Sequence, residues 1–179
     1  PTDIGTGTSF TEEFDTVYKL GAKGWVIKDN SPTGNTGPYA SWGQGINGFD
    51  KAGSWIGFSA FSYTTQKNEF VYSSSFSSTN YTIKNGDKIS FYTSADTTGI
   101  YTDRMQVLMN KSASEGVGSI SSSVGGFTTV LFDINSVQIA SGYPVNWTRY
   151  EYTFSGISGK TDARIGFRHY VSNTSGKKG

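Results

Sequence analysis

The sequence predicts an all-β fold, an antiparallel β-sandwich, on three observations. Its 179 residues hold 23 glycines and abundant Ser and Thr beside 12 Phe, 11 Tyr and 4 Trp, a mixture that suits short strands and turns and is poor in the best helix formers. Apolar residues recur with period two in several segments, which places them on one face of a strand. Gly-, Ser- and Asn-rich connections join these segments, as in antiparallel sheets packed face to face, rather than the helices that cover a parallel sheet.

The elements follow in order. Residues 1–7 read as a polar linker and residues 8–179 as one domain. Thr8 to Asp15 is expected as a first short strand carrying Phe10 and Phe14, and a second strand is expected to begin at Trp25. Turn formers are dense from Asp29 to Asp50, so a long loop region carrying Tyr39 and Trp42 is expected there. Ile89 and Phe91 alternate with Ser90 and Tyr92, and Met105, Val107 and Met109 alternate with Arg104, Gln106, Leu108 and Asn110, which gives two further strands. A short helix is expected near Ile134 to Ala140.

The last forty residues carry the clearest pattern. Tyr150, Tyr152 and Phe154 share one face and Arg149, Glu151 and Thr153 the other, while Ile165 and Phe167 alternate with Arg164, Gly166 and Arg168. Each such strand is expected to have one core face and one wet face. Trp25 and Trp147 stand at strand starts and are expected to plug the sandwich.

Composition narrows the function classes. Fifteen basic residues against fourteen acidic ones leave a net charge of +1, too balanced to draw the chain to phosphate backbones or acidic lipid by charge alone, so nucleic acid is not an expected partner. The absence of cysteine excludes disulfides and thiolate metal sites. No run approaches the roughly 18 apolar residues of a membrane helix, so the chain is not expected to span a membrane. The opening Pro1-Thr2-Asp3-Ile4 lacks a signal segment, and a mature or excised piece of a longer parent with neighbouring domains is expected. Asn-X-Ser/Thr sequons occur at Asn80, Asn110, Asn146 and Asn173, a number that chance supplies in a chain of this composition.

In order and spacing, the landmarks resemble those of the choice-of-anchor J and cleaved-adhesin families, bacterial jelly-roll modules similar to the meprin-type adhesive domains. Glu12-Glu13-Phe14-Asp15 resembles the opening acidic box, followed by Gly24-Trp25 and the Trp42-Gly43 loop. Asn68-Glu69-Phe70-Val71-Tyr72, Asp87-Lys88-Ile89-Ser90-Phe91 and Asp103-Arg104-Met105-Gln106-Val107 resemble the central segments, and Trp147 with Ile165-Gly166-Phe167-Arg168-His169 the closing pair. The resemblance implies a jelly-roll adhesin-like module, extracellular or on a bacterial cell surface anchored to the outer membrane. It also implies a structural calcium between the acidic box, through Glu13 and Asp15, and acids of a closing strand. That strand is not found before Gly179, so the fragment is expected to lack its last strand. Because such families share a fold and not an activity, the ligand does not follow from the likeness.

Catalysis is weakly supported by the residues. His169 is the only histidine, and no Gly-X-Ser-X-Gly elbow accompanies it, so a structural role is expected. Glycoside hydrolysis needs paired carboxylates on one strand face. Glu12, Glu13 and Asp15 form the one dense acidic cluster, but the next position in the alternation is Val17. A carbohydrate-active enzyme, or its ancillary carbohydrate-binding domain, is therefore the alternative reading, with a structural spacer as a third.

Attachment is the leading expectation. Tyr39, Trp42 and Trp55 are candidate rings for stacking on sugar, since such sites pair aromatic platforms with groups that read hydroxyls. The same rings with Arg149, Arg164 or Arg168 would instead anchor a host or matrix protein, because these residue types are enriched in interface hot spots. A grooved row of rings favours glycan, and a flat aromatic and arginine patch favours protein.

Overall fold

A computed structural model describes residues 11, 20, 22, 24–30, 43–46, 54–57, 67–72, 83–95, 102–111, 116–120, 122–158 and 163–171. These residues contain nine strands: β1 (Val26–Asp29), β2 (Gly43–Ile46), β3 (Ser54–Gly57), β4 (Lys67–Tyr72), β5 (Lys88–Thr93), β6 (Met105–Asn110), β7 (Thr129–Ile134), β8 (Thr148–Thr153) and β9 (Arg164–Val171). One sheet has the order β1-β4-β9-β6-β7, β2 pairs with β3, and β5 pairs with β8. Every pairing is antiparallel. The described residues contain no α-helix, so none that could cross a membrane, and the all-β expectation stands.

Side-chain alternation builds the core between the sheets. In β5 and β8 half-buried and exposed residues alternate without a break, so Ile89 and Phe91 face the same way as Tyr150 and Tyr152. These four pack on Met105, Val107 and Met109 of β6, Leu131 and Ile134 of β7, and Ile165 of β9, and the β5–β8 pair lies face to face on the sheet of five. Aromatic rings carry much of that contact. Phe91 meets Phe132 and Phe167 edge-on at centroid distances of 5.3 and 5.4 Å and stacks on Tyr150 at 5.5 Å. Offset stacks and edge-to-face contacts are the preferred aromatic geometries, each contributing about 0.5–1.5 kcal/mol beyond area burial.

The outer face of the five-stranded sheet differs from the sequence expectation. All six residues of β6 are buried, and Arg164 and Arg168 of β9 are buried as well. The cause is the segment 116–128, whose Val117 and Phe127 pack with Leu108 on the outer side while Val26 and Val124 border them. The amide of Asn30 donates to the Gly118 carbonyl at 3.0 Å, tying that cover to the end of β1. Gly125 permits the return of the segment at φ 53°, where a Cβ would stand 2.0 Å from the Gly116 carbonyl oxygen. A glycine is therefore required at that crossing.

β7 occupies the place where a helix was expected to begin. Its pairing with β6 shifts register between Val107 and Leu108, so Leu131 and Phe132 both reach the core and the period-two signal is broken. Beyond Ile134 the chain turns, with Asn135, Gln138 and Ser141 at φ 58°, 53° and 58°. Three left-handed residues are incompatible with a right-handed helix. The Asn135 side chain closes this turn by donating to the Ile139 carbonyl at 3.0 Å and accepting from the Ile139 amide at 3.1 Å. The expected strand over Thr8 to Asp15 lies outside the described residues except for Thr11, which is exposed and in no strand.

Truncating Phe91 to alanine removes two ring contacts between the sheets and one within its own pair of strands, and Phe91→Ala is expected to destabilise the fold by about 3 kcal/mol. The neighbouring Tyr92→Ala, on the opposite face, is expected to change stability by no more than about 0.5 kcal/mol. Urea unfolding of both variants measures the contrast, and equal losses would contradict the assignment of faces.

Candidate functional site

The chemistry-bearing side chains gather at one end of the two sheets, where β5, β7 and β9 finish and β6 and β8 begin. Register sets the arrangement. Gln106 lies opposite Asp133 on one side and Arg168 on the other, and alternation puts Arg104 beside Gln106 and Tyr170 beside Arg168 on the outer face. Arg104 donates Nε and Nη2 to the two Asp133 carboxylate oxygens at 2.7 and 2.5 Å. Gln106 donates Nε2 to Asp133 Oδ2 at 2.9 Å and accepts from Arg168 Nη1 at 2.7 Å. The Arg168 guanidinium also donates to the Ser122 carbonyl at 3.3 Å and lies 3.8 Å from the centre of the Tyr170 ring.

The electrostatics follow from that geometry. Burial opposes ionisation of Asp133, but hydrogen bonds from Arg104 and Gln106, with the charges of Arg104 and Arg168, outweigh it and hold the carboxyl below its ordinary value. The bond to Asp133 raises Arg104 in turn. Burial lowers Arg168 to about 10, against a smaller raising effect of Tyr170. These groups direct their donors and acceptors at one another, forming a clamp across β6, β7, β9 and the covering segment.

A second cluster sits at the same end. His169 Nε2 lies 3.1 Å from Asp103 Oδ1, and the Asp103 carbonyl accepts from Asn135 Nδ2 at 2.7 Å. The Tyr143 hydroxyl bonds the Thr93 hydroxyl at 2.7 Å, and burial pushes its pKa above the ordinary value. Among the described residues no group of three or more His, Asp or Glu side chains could hold a metal ion.

Of the residues singled out in the sequence, Tyr39, Trp42, Glu12, Glu13 and Asp15 lie outside the described residues. Trp55 is in β3, opposite Gly45 of β2. Arg168 is only 4% exposed and lies beneath the covering segment within the clamp. Arg164 is buried too, whereas Arg149 faces solvent. Trp147 does not plug the sandwich, since it is 36% exposed.

Comparison with family models, curated proteins and solved structures finds no match. Assignment of a site therefore rests on this chain's own geometry.

Sequence reasoning passed over a surface feature on β5 and β8. The outward residues are Lys88, Ser90 and Tyr92 on β5, with Arg149, Glu151 and Thr153 on β8. Lys88 Nζ and Arg149 Nη2 donate to the two Glu151 oxygens at 2.8 and 2.6 Å, which keeps that carboxyl below its ordinary value. Tyr92, 41% exposed, lies opposite Arg149, and Trp147 stands two residues before Arg149. The signal was present: Trp147 has the parity of Arg149 and Glu151, not of Tyr150 and Tyr152.

The clamp makes acid stability depend on Asp133. Its folded pKa lies below the unfolded value, so its contribution is complete above the ordinary 3.8 and is lost as pH falls through the lower folded value. Asp133→Asn is expected to lower stability at pH 7 and to flatten the acid limb of the stability profile. Urea midpoints taken at neutral pH and below 3.8 test this, and parallel profiles for the two proteins would contradict it.

Proposed function

We propose that this chain is a non-catalytic, adhesin-like binding module of jelly-roll type from a secreted or surface-anchored bacterial protein. Its work in this reading is attachment to glycans or to host or matrix protein. The observation that carries the reading is the outward face of β5 and β8, where Tyr92, Arg149 and Trp147 are displayed on strands whose other side is locked into the core. Binding residues held on a rigid scaffold are the usual arrangement of attachment domains.

The polar groups at the end of the sheets support a non-catalytic role. His169 is engaged with Asp103, and Asp133 with Arg104 and Gln106, whereas catalysis needs an acid, base or nucleophile aimed at a place where substrate can sit. The resemblance of the sequence to choice-of-anchor J and cleaved-adhesin modules supports the same reading, and the structure contributes only its all-β character. A structural calcium at Glu13 and Asp15 belongs to the same proposal, as carboxylates are its preferred ligands.

The test is an array of glycans and matrix proteins probed with the purified protein, in calcium and again with a chelator, beside Trp42→Ala. Retention of a glycan class or a matrix protein is expected, with weaker retention in chelator. Loss of binding in Trp42→Ala would bring the Trp42 loop into the site. Failure to bind any component under either condition would replace the binding reading with a structural spacer.

A further inference from the structure

We infer that the outward face of β5 and β8 is a saccharide platform, on which Tyr92 and Trp147 stack against sugar rings while Arg149, Glu151 and Lys88 read their hydroxyls. The inference rests on the reading of the chain as a binding module and names its ligand class and its site. Exposure alternates through both strands, and residue 147 keeps that rhythm ahead of β8. Tyr92 pairs with Arg149, and the register carried one residue beyond its last pair, Thr93 with Thr148, sets Trp147 on the diagonal from Tyr92. That diagonal spans about 7–8 Å in an antiparallel pair. Two rings so placed suit two successive sugar units.

The polar groups fit hydroxyls better than they fit a charged ligand. Glu151 is kept ionised and fixed by two cations, and a carboxylate has about four lone-pair positions and a guanidinium five donors. Acceptor and donor sites remain side by side after the ion pairs are made. Side-chain exposures of 47% for Arg149 and 59% for Lys88 leave both cations reachable. Lys88, Arg149 and Glu151 sum to one positive charge, and Glu151 stands between the cations, which disfavours a polyanion.

A surface with rings and an arginine also matches the chemistry of protein hot spots, but the face that the described residues form is small for one. Six residues at about 3.3 Å each and two strands about 4.8 Å apart give roughly 200 Å² for the face formed by the described residues. A stable protein interface takes about 800 Å² from each partner. An oligosaccharide of two or three units covers a face of this size.

The experiment uses printed neutral, sialylated and sulfated oligosaccharides and matrix proteins with the wild type, Tyr92→Ala and Trp147→Ala, and a thermal melt of each protein. Binding to neutral oligosaccharides of two or more units is expected, weakened about tenfold or more by either substitution, with melting temperatures unchanged because both rings lie outside the core. Retention of full glycan binding by both variants would put the sugar site elsewhere and leave the binding-module reading intact. Recognition of matrix protein alone would overturn the saccharide platform and leave the binding-module reading intact. Binding confined to sulfated glycans and released by salt would replace the platform with an ion-exchange surface. No binding to any glycan or protein would overturn both readings.

Discussion

A strand buried on both faces has to satisfy two environments, and β6 is the strand through which the two halves of this structure are joined. Its inward residues Met105, Val107 and Met109 meet the rings of β5 and β8, and its outward Leu108 meets Val117 and Phe127 of the covering segment. Pairing to β9 on one edge and β7 on the other fixes its position. A slip of one residue would exchange the two sets and drive Gln106 and Asn110 among the rings.

The clamp of Arg104, Asp133, Gln106 and Arg168 is best understood in that light. The Arg104–Asp133 pair keeps contact with water, and ion pairs of that kind contribute little net stability. What the clamp supplies is discrimination. Its members are satisfied only when β7, β6 and β9 stand in the observed register and Ser122 lies over Arg168. The trio of Lys88, Glu151 and Arg149 pairs a carboxylate of similar exposure with cations that are far more exposed than Arg104 and Arg168, so those cations remain open to a partner.

Legibility of the fold followed the strictness of alternation. β5 and β8 keep period two throughout, and the sequence assigned their faces correctly at Ile89, Phe91, Tyr150 and Tyr152. β6 and β9 were recognisable as strands, but the second face of β9 was read as wet and the cover over β6 was not foreseen. The segment 116–128 that covers it is short of apolar residues and has no period, so nothing local announced Val117 and Phe127 as a lid. β7 was hidden by its register shift, and the expected helix gave way to left-handed Asn135, Gln138 and Ser141. At the candidate site, residue type suggested a surface anchor at Arg168, whereas burial is decided by a tertiary contact. Trp147 was misplaced for the opposite reason, because size was allowed to outweigh parity.

The central position of β9 has a consequence for the order of assembly. β9 is the last of the nine strands in sequence, yet it sits between β4 and β6, which reach it from about 100 and 60 residues upstream. During synthesis, β4 and β6 leave the ribosome well before the strand that joins them. Until residues 164–171 emerge, each presents an edge with no β9 to bond, a state open to pairing with the wrong chain. Closure of the sheet is thus a late, non-local event. The growing chain depends on β5–β8 and β6–β7, whose partners are all made before β9, to hold the core together while it waits.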